Sequence, residues 1–424
     1  MVFLLFIVVF EYIFKNFLIF GSLFINIFSM VSQHKLNNYF PLQLSFLLFS
    51  MLLNSMGIII MKYSGSHISY QKLGILEAFK DIPIALVSLV AVNFINRFGT
   101  KQSLIFSLAV VLVCCLALPF LNEFWFFKIW LVLIGVSFAI AKISVFSIIR
   151  NNVKKENELS KIMSRVEASF MIGIFCVNMG FGWLLSSKYE EFWKFGFWGI
   201  ALISMVTIWK LFKTDYVEIP SEKQQYLSKI KNIFTSRNML FFLVLFLIVL
   251  VEQCFNSWLP TFYKKNLHVN SFYALQSGAF LALFSFLGRM ITSKIITRFS
   301  WFRYVVFCLS ALILLILISQ YFVSNINENL WMLLFLFPVL GLFMSPLYPL
   351  FNSKFLINID KDKVNILVSF IVIFSSLGSS FGSIGMSYVF ELGLDQYFIL
   401  FALIPIVLIL VLTLIFSQRL ILRQ

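Results

Sequence analysis

Charge is the scarcest property of this sequence. Asp, Glu, Lys and Arg make up 12% of its 424 residues, and the mean hydropathy is +0.95. A water-soluble fold of this size needs a wet, polar surface that such a composition cannot supply. Histidine is almost missing. His34, His67 and His268 stand far apart, and no metal site or other cofactor is expected. The five cysteines, Cys114, Cys115, Cys176, Cys254 and Cys308, fall in apolar runs with no C-x-x-C pair, as small packing residues do. The short alternating strands of a membrane barrel are lacking. So is a G-x-x-x-x-G-K-[ST] loop, which argues against direct drive by ATP.

What the chain has in quantity is apolar runs of about 20 residues, the length that crosses a bilayer core. Twelve are predicted, beginning with 41–62 and 72–95 and ending with 364–388 and 395–417. The longest polar stretch divides them six and six. The predicted organisation is an N-terminal hydrophobic segment (1–38), a six-helix bundle (39–212), a cytoplasmic linker with a short amphipathic helix (213–238), and a second bundle with a short tail (239–424). Lys and Arg outnumber Asp and Glu by 33 to 18. The excess gathers in alternate loops, at Arg150, Lys154, Lys155, Lys161 and Arg165 and again at Lys210, Lys213, Lys223, Lys229, Lys231 and Arg237. That is the bias of cytoplasmic loops, not the footprint of a nucleic-acid partner. The halves echo each other in NRFGTK (96–101) and TRFSWFR (297–303), as in transporters built from two related bundles.

Residues 1–30 read in two ways. They form a thirteenth span, with Glu11 and Lys15 paired at i,i+4, or they precede a true start at Met30. A signal peptide does not fit, since a basic start and a small-residue cleavage site are lacking.

Over residues 40–417 the sequence resembles the major facilitator superfamily. The family's loop after its second span runs G-x-x-x-D-R-x-G-R-K, and here the stretch is VNFINRFGTKQSL. Arg97, Gly99 and Lys101 match, while Val92, Asn96 and Thr100 depart, and Asn96 replaces the carboxylate of the family's cytoplasmic gate. NSWLPTFY (256–263), FLGRMITSKIITRF (286–299) and MSPLYPLF (344–351) resemble its seventh, eighth and tenth helices. The fifth span, GIFCVNMGFGWLL, lacks the proline of many drug exporters, which favours uptake over export. The resemblance implies an all-α polytopic fold of two six-helix bundles with alternating access between them. It implies that spans one, four, seven and ten line a central cavity, with two, five, eight and eleven as gates. The loop residues Arg97, Gly99, Lys101 and Arg298 are assigned to gating on the same ground.

Seven ionisable residues fall inside the spans: Glu77, Lys80, Asp81, Lys142, Glu167, Glu252 and Arg289. Each costs a few kcal/mol in a bilayer and so needs a cavity or a partner. Glu252, midway along span seven with Gln253 beside it and Asn256 one turn on, is the first candidate for proton coupling. A carboxyl in a low-dielectric cavity can exchange protons near neutral pH. The plain alternative is a hydrogen-bonded structural carboxylate. Lys142 in span four suits an anionic substrate, or else pairs with Glu167. Arg289 either recognises an anion bidentately or holds helix ends at the cytoplasmic gate. Asn54, Asn178, Trp258 and Tyr348 are candidate uncharged contacts. In LEAFKDIP (76–83), Glu77 and Asp81 share one face and Lys80 lies beside Glu77, within two turns of the outer surface. That trio reads as an outer gate, with a proton site and static packing as alternatives.

The expected protein is a proton-coupled importer of a small organic anion in a bacterial cytoplasmic membrane, working as a monomer. The LEAFKD-type second helix resembles bacterial carriers of carboxylate siderophores. Rival readings are efflux, and a non-transporting sensor or scaffold derived from a transporter. A membrane enzyme is disfavoured, since the spans contain no histidine.

Overall fold

The computed structural model describes residues 38–64, 68–121, 123–152, 156–217, 235–295, 300–323, 326–356 and 364–421, and the elements among them are helices. The hydrophobic segment 1–30, the linker residues 218–234 and Arg298 lie outside the described residues.

Two expected spans are broken helices. The first consists of α1 (Phe40–Leu53) and α2 (Met56–Tyr63). At the break, Asn54 Nδ2 donates to the Ser50 carbonyl (2.9 Å) and Ser55 Oγ to the Leu52 carbonyl (2.7 Å). These side chains compete with the backbone for helix carbonyls, and the chain loses a turn there. The remaining helices are α3 (Tyr70–Phe98), α4 (Thr100–Ala117), α5 (Phe124–Asn152), α6 (Glu156–Leu185), α7 (Gly196–Phe212), α8 (Ser236–Asn266), α9 (Ser271–Ile295), α10 (Trp301–Val323), α11 (Ile326–Met344), α12 (Leu347–Leu356), α13 (Val364–Glu391) and α14 (Phe398–Ile421). α11 and α12 together are the tenth span, interrupted at Ser345–Pro346, where proline has no N–H to continue the ladder. α3 is capped by Ser69 Oγ, which accepts from the Lys72 amide, and ends at Gly99 with φ 89°. Glycine adopts that angle without strain, which lets α4 start at the next residue.

Ten described helical segments are long and apolar enough to cross a membrane. Leu86, Val90, Val113, Phe120, Leu314, Tyr321 and Ile404 are each more than half exposed, a surface suited to lipid and not to water. In the first bundle α3 packs on α5, α5 on α4, α4 on α7, and α1 on α6 and α7. In the second, α8 packs on α9, α13 and α14, and α10 on α11 and α14. Among the described residues the bundles meet chiefly along three pairs, α3 with α13, α6 with α9, and α2 with α8, the first being the most extensive. Small residues permit this approach. A Cβ on Gly57 would stand 3.0 Å from the Asn256 carbonyl of α8, and one on Gly74 would overlap Ser387 of α13.

Candidate functional site

Between the bundles lies a cavity of about 180 Å³. It brings together all six side chains singled out for substrate or coupling: Asn54, Lys142, Glu252, Gln253, Asn256 and Arg289. Lys142 reaches in from α5, its Nζ 5.6 Å from the centre of the Phe138 ring. Arg289 reaches in from α9. Its Nε donates to Ser345 Oγ (2.7 Å) at the break between α11 and α12, which fixes the guanidinium at the cavity wall. Glu252, on α8, is within electrostatic reach of Arg289 and Glu167. Glu167 lines the cavity from α6. Among the described residues, no ion pair within 4 Å holds Lys142, Glu167, Glu252 or Arg289. The structural pair of Lys142 with Glu167 therefore does not form.

Of the LEAFKD residues, Lys80 and Asp81 line the same cavity as Glu252. Asp81 lies eleven residues into α3, roughly 16 Å from Tyr70 at helical rise. Glu77, Lys80 and Asp81 are 0%, 3% and 3% exposed. Lys80 Nζ bridges both carboxylates, at 3.0 Å from Glu77 Oε1 and 3.1 Å from Asp81 Oδ1. Glu77 also accepts from the other bundle, from Gln253 Nε2 (2.5 Å) and from Ser257 Oγ (2.9 Å) of α8. A buried carboxylate with several donors is satisfied where an isolated one would be prohibitive. The network joins the halves and the cavity floor at once.

Beyond it, at the Tyr70 end of α3, a second layer of contacts ties the bundles together. The Tyr70 amide donates to Glu391 Oε2 (2.8 Å), so a residue of the second bundle caps a helix of the first. Lys265 Nζ pairs with Asp395 Oδ1 (3.1 Å) and lies 5.0 Å from the Tyr70 ring centre. Tyr70, Trp258 and Phe390 form an aromatic cluster behind it. None of these residues was singled out as a gate in the sequence: Lys265, Glu391 and Asp395 fall at span ends, where charge is ordinary, and the aromatics are three among many.

Other candidates sort as follows. Tyr348 lines the cavity. Trp258 does not: it is fully buried, with Nε1 donating to Ser383 Oγ (3.0 Å). Asn178 is also outside it, donating to the Ile174 carbonyl and lying against Gly278 of α9. Ser375, Ser376 and Ser379 of α13 line the cavity and were missed. In the loop after α3, Arg97 is exposed beside the Phe98 ring, and Lys101 pairs with the exposed Asp215 at 3.5 Å.

Two helical bundles enclosing a polar, charged cavity in a lipid-facing shell define a multi-pass membrane carrier. The sequence matches the Major Facilitator Superfamily over residues 42–383, and the chain belongs to that family of transporters. Among solved structures, a D-xylose–proton symporter aligns with TM-score 0.72 at 12% identity, covering 89% of this chain and 97% of that one. A second major facilitator transporter, FucP, in its outward conformation, aligns with TM-score 0.65 at 15% identity over the same shares. Identities this low bear on the fold alone. None of the curated proteins compared with the sequence matches it.

Proposed function

We propose that this transporter imports a small organic anion together with protons across a bacterial cytoplasmic membrane, acting as a monomer. The observation that carries the reading is the pair of cavity cations, Lys142 and Arg289, neither held in an ion pair, lining the same cavity as the carboxyl of Glu252. An anion drawn to the cations displaces the countercharge that Arg289 gives to Glu252. A proton then restores neutrality at the carboxylate. Asn54, Gln253, Asn256 and the serines of α13 offer hydrogen bonds to hydroxyl or carbonyl groups, which suits a hydroxylated carboxylate such as a carboxylate siderophore. Glu77, Lys80 and Asp81 act as the inner layer of the outer gate, since their network must break when the bundles part. Arg97, Gly99, Lys101 and Arg298 serve the cytoplasmic ends.

The test is a thermal-shift screen of the purified protein with succinate, malate, citrate and a carboxylate siderophore, alongside D-xylose as a neutral control. A carboxylate should stabilise the protein and lose that effect in Lys142→Met. Stabilisation by the sugar alone would point to a neutral solute and overturn the anion reading.

A further inference from the structure

The two sides of the cavity differ in kind. Among the described residues, the phenylalanines that line it all come from the first bundle: Phe46 on α1, Phe138 and Phe146 on α5, and Phe170 on α6. Phe46 meets Phe146 at 5.6 Å between ring centres and Phe170 at 6.4 Å, and Phe170 meets Phe138 at 6.4 Å. The four rings form one continuous wall. Of the charged side chains on this side, Lys80 and Asp81 are paired with each other, Lys142 Nζ lies over the Phe138 ring, and Glu167 stands one turn before Phe170. The chain holds 54 Phe, so a phenylalanine beside a cavity is ordinary, but their segregation to one side is not. The second bundle's share is mostly polar and includes the hydroxyls of Ser375, Ser376 and Ser379 on α13 and of Tyr348 on α12. Ser375 Oγ donates to the Tyr348 hydroxyl at 3.3 Å, which leaves the phenol's own proton to donate. Arg289 uses its Nε on Ser345, three residues before Tyr348, and among the described residues its terminal nitrogens make no hydrogen bond.

Ring electrostatics and size decide what such a wall accepts. The face of an aromatic ring is negative and its edge positive, so rings pack edge-to-face or offset, and a carboxylate laid on a ring face is repelled. An aliphatic dicarboxylate would bring a second charge to the phenylalanines and no ring. An apolar cavity of about 150 Å³ takes up benzene. At about 180 Å³, this one holds a single ring with a carboxylate. We infer that the solute is a hydroxylated aryl carboxylate, whose ring lies against Phe46, Phe138, Phe146 and Phe170 while its carboxylate meets Arg289 and its hydroxyl meets Tyr348. The four phenylalanines and Tyr348 are then specificity-determining residues. The inference rests on the proposed anion reading and narrows the anion to one that carries a ring.

Titration calorimetry of the purified protein compares benzoate, 3-hydroxybenzoate, cyclohexanecarboxylate and phenol. Cyclohexanecarboxylate carries the same carboxylate on a ring no less apolar, so burial of apolar area alone gives benzoate no advantage. Wild type should bind benzoate about 2- to 10-fold more tightly than cyclohexanecarboxylate, the value of favourable ring–ring geometry. It should bind 3-hydroxybenzoate more tightly again by about 2- to 10-fold, and Tyr348→Phe should remove that second step. Phe170→Leu, with Phe146→Leu as a second version, should bring the affinity ratio of benzoate to cyclohexanecarboxylate toward one, a change that a loss of folding does not produce. Equal binding of those two by wild type, or a ratio unmoved in both leucine variants, overturns the inference and leaves the anion reading standing. A hydroxyl preference that survives Tyr348→Phe overturns the part given to Tyr348. Phenol bound as tightly as benzoate, or no binding of any carboxylate, overturns both readings.

Discussion

Gly74 tests how the bundles are held together at the outer end. It lies on α3 where α13 comes closest, and a Cβ there would overlap the Cβ and Oγ of Ser387, with the Ser383 carbonyl 3.1 Å away. A methyl group has no room unless the helices part. Overpacking of this kind costs about 1–3 kcal/mol. If the bundles relieve it by separating, the closed-to-open ratio falls by a factor of about 5–150. Gly173→Ala is the matched control, because its Cβ would overlap Ser50 Oγ and the Leu47 carbonyl, both in the same bundle as Gly173. Spin labels at Glu191→Cys and Leu392→Cys, both exposed and one on each bundle, report the outer separation in a background free of the five native cysteines. Gly74→Ala should add a longer distance. Gly173→Ala should lower thermal stability and leave the distance distribution alone. The reasoning is refuted if folded Gly74→Ala keeps the wild-type distribution, or if both variants shift it equally.

Lys80→Met removes the cation bridging Glu77 and Asp81, so thermal unfolding should show a loss of about 3–5 kcal/mol, partly restored by adding Glu77→Gln and Asp81→Asn. An unchanged Lys80→Met protein would mean that the network is not formed. Lys265→Met removes a cation–π contact with Tyr70 of about 0.5–1 kcal/mol, and the same spin-label pair should show a modest shift toward the longer distance that Lys265→Arg does not. Lys142→Met should weaken binding of the selected carboxylate by about 10- to 100-fold, the value of a hydrogen bond to a charged group; unchanged affinity would remove Lys142 from the site.

The fold was legible because bilayer length is written directly into the apolar runs, and the charged residues that interrupt them mark the cavity. Lys142, Glu252 and Arg289 could be picked from separate helices for that reason. Depth was harder to judge than identity. The Glu77–Asp81 stretch lies early in its span, and the sequence does not say that Lys80 and Asp81 share a cavity with Glu252. Trp258 and Asn178 have the chemistry of ligand contacts, but periodicity does not say which face of a crowded bundle helix turns to the cavity. The α13 serines carry no such signal, since serine in a membrane helix usually bonds its own backbone, as Ser387 does to the Ile384 carbonyl. The Asn54 break arises from the same backbone competition and has no proline to announce it. At the tenth span, Pro346 and Pro349 did mark the bend.

Uptake into proteoliposomes under an inward proton gradient tests the central claim most directly. The solute is whichever of succinate, malate and citrate stabilises the protein most. Wild type should concentrate the labelled anion and acidify the lumen with it, and Glu252→Gln should abolish the gradient-driven accumulation while the protein stays folded. Undiminished concentrative uptake by Glu252→Gln would contradict the account.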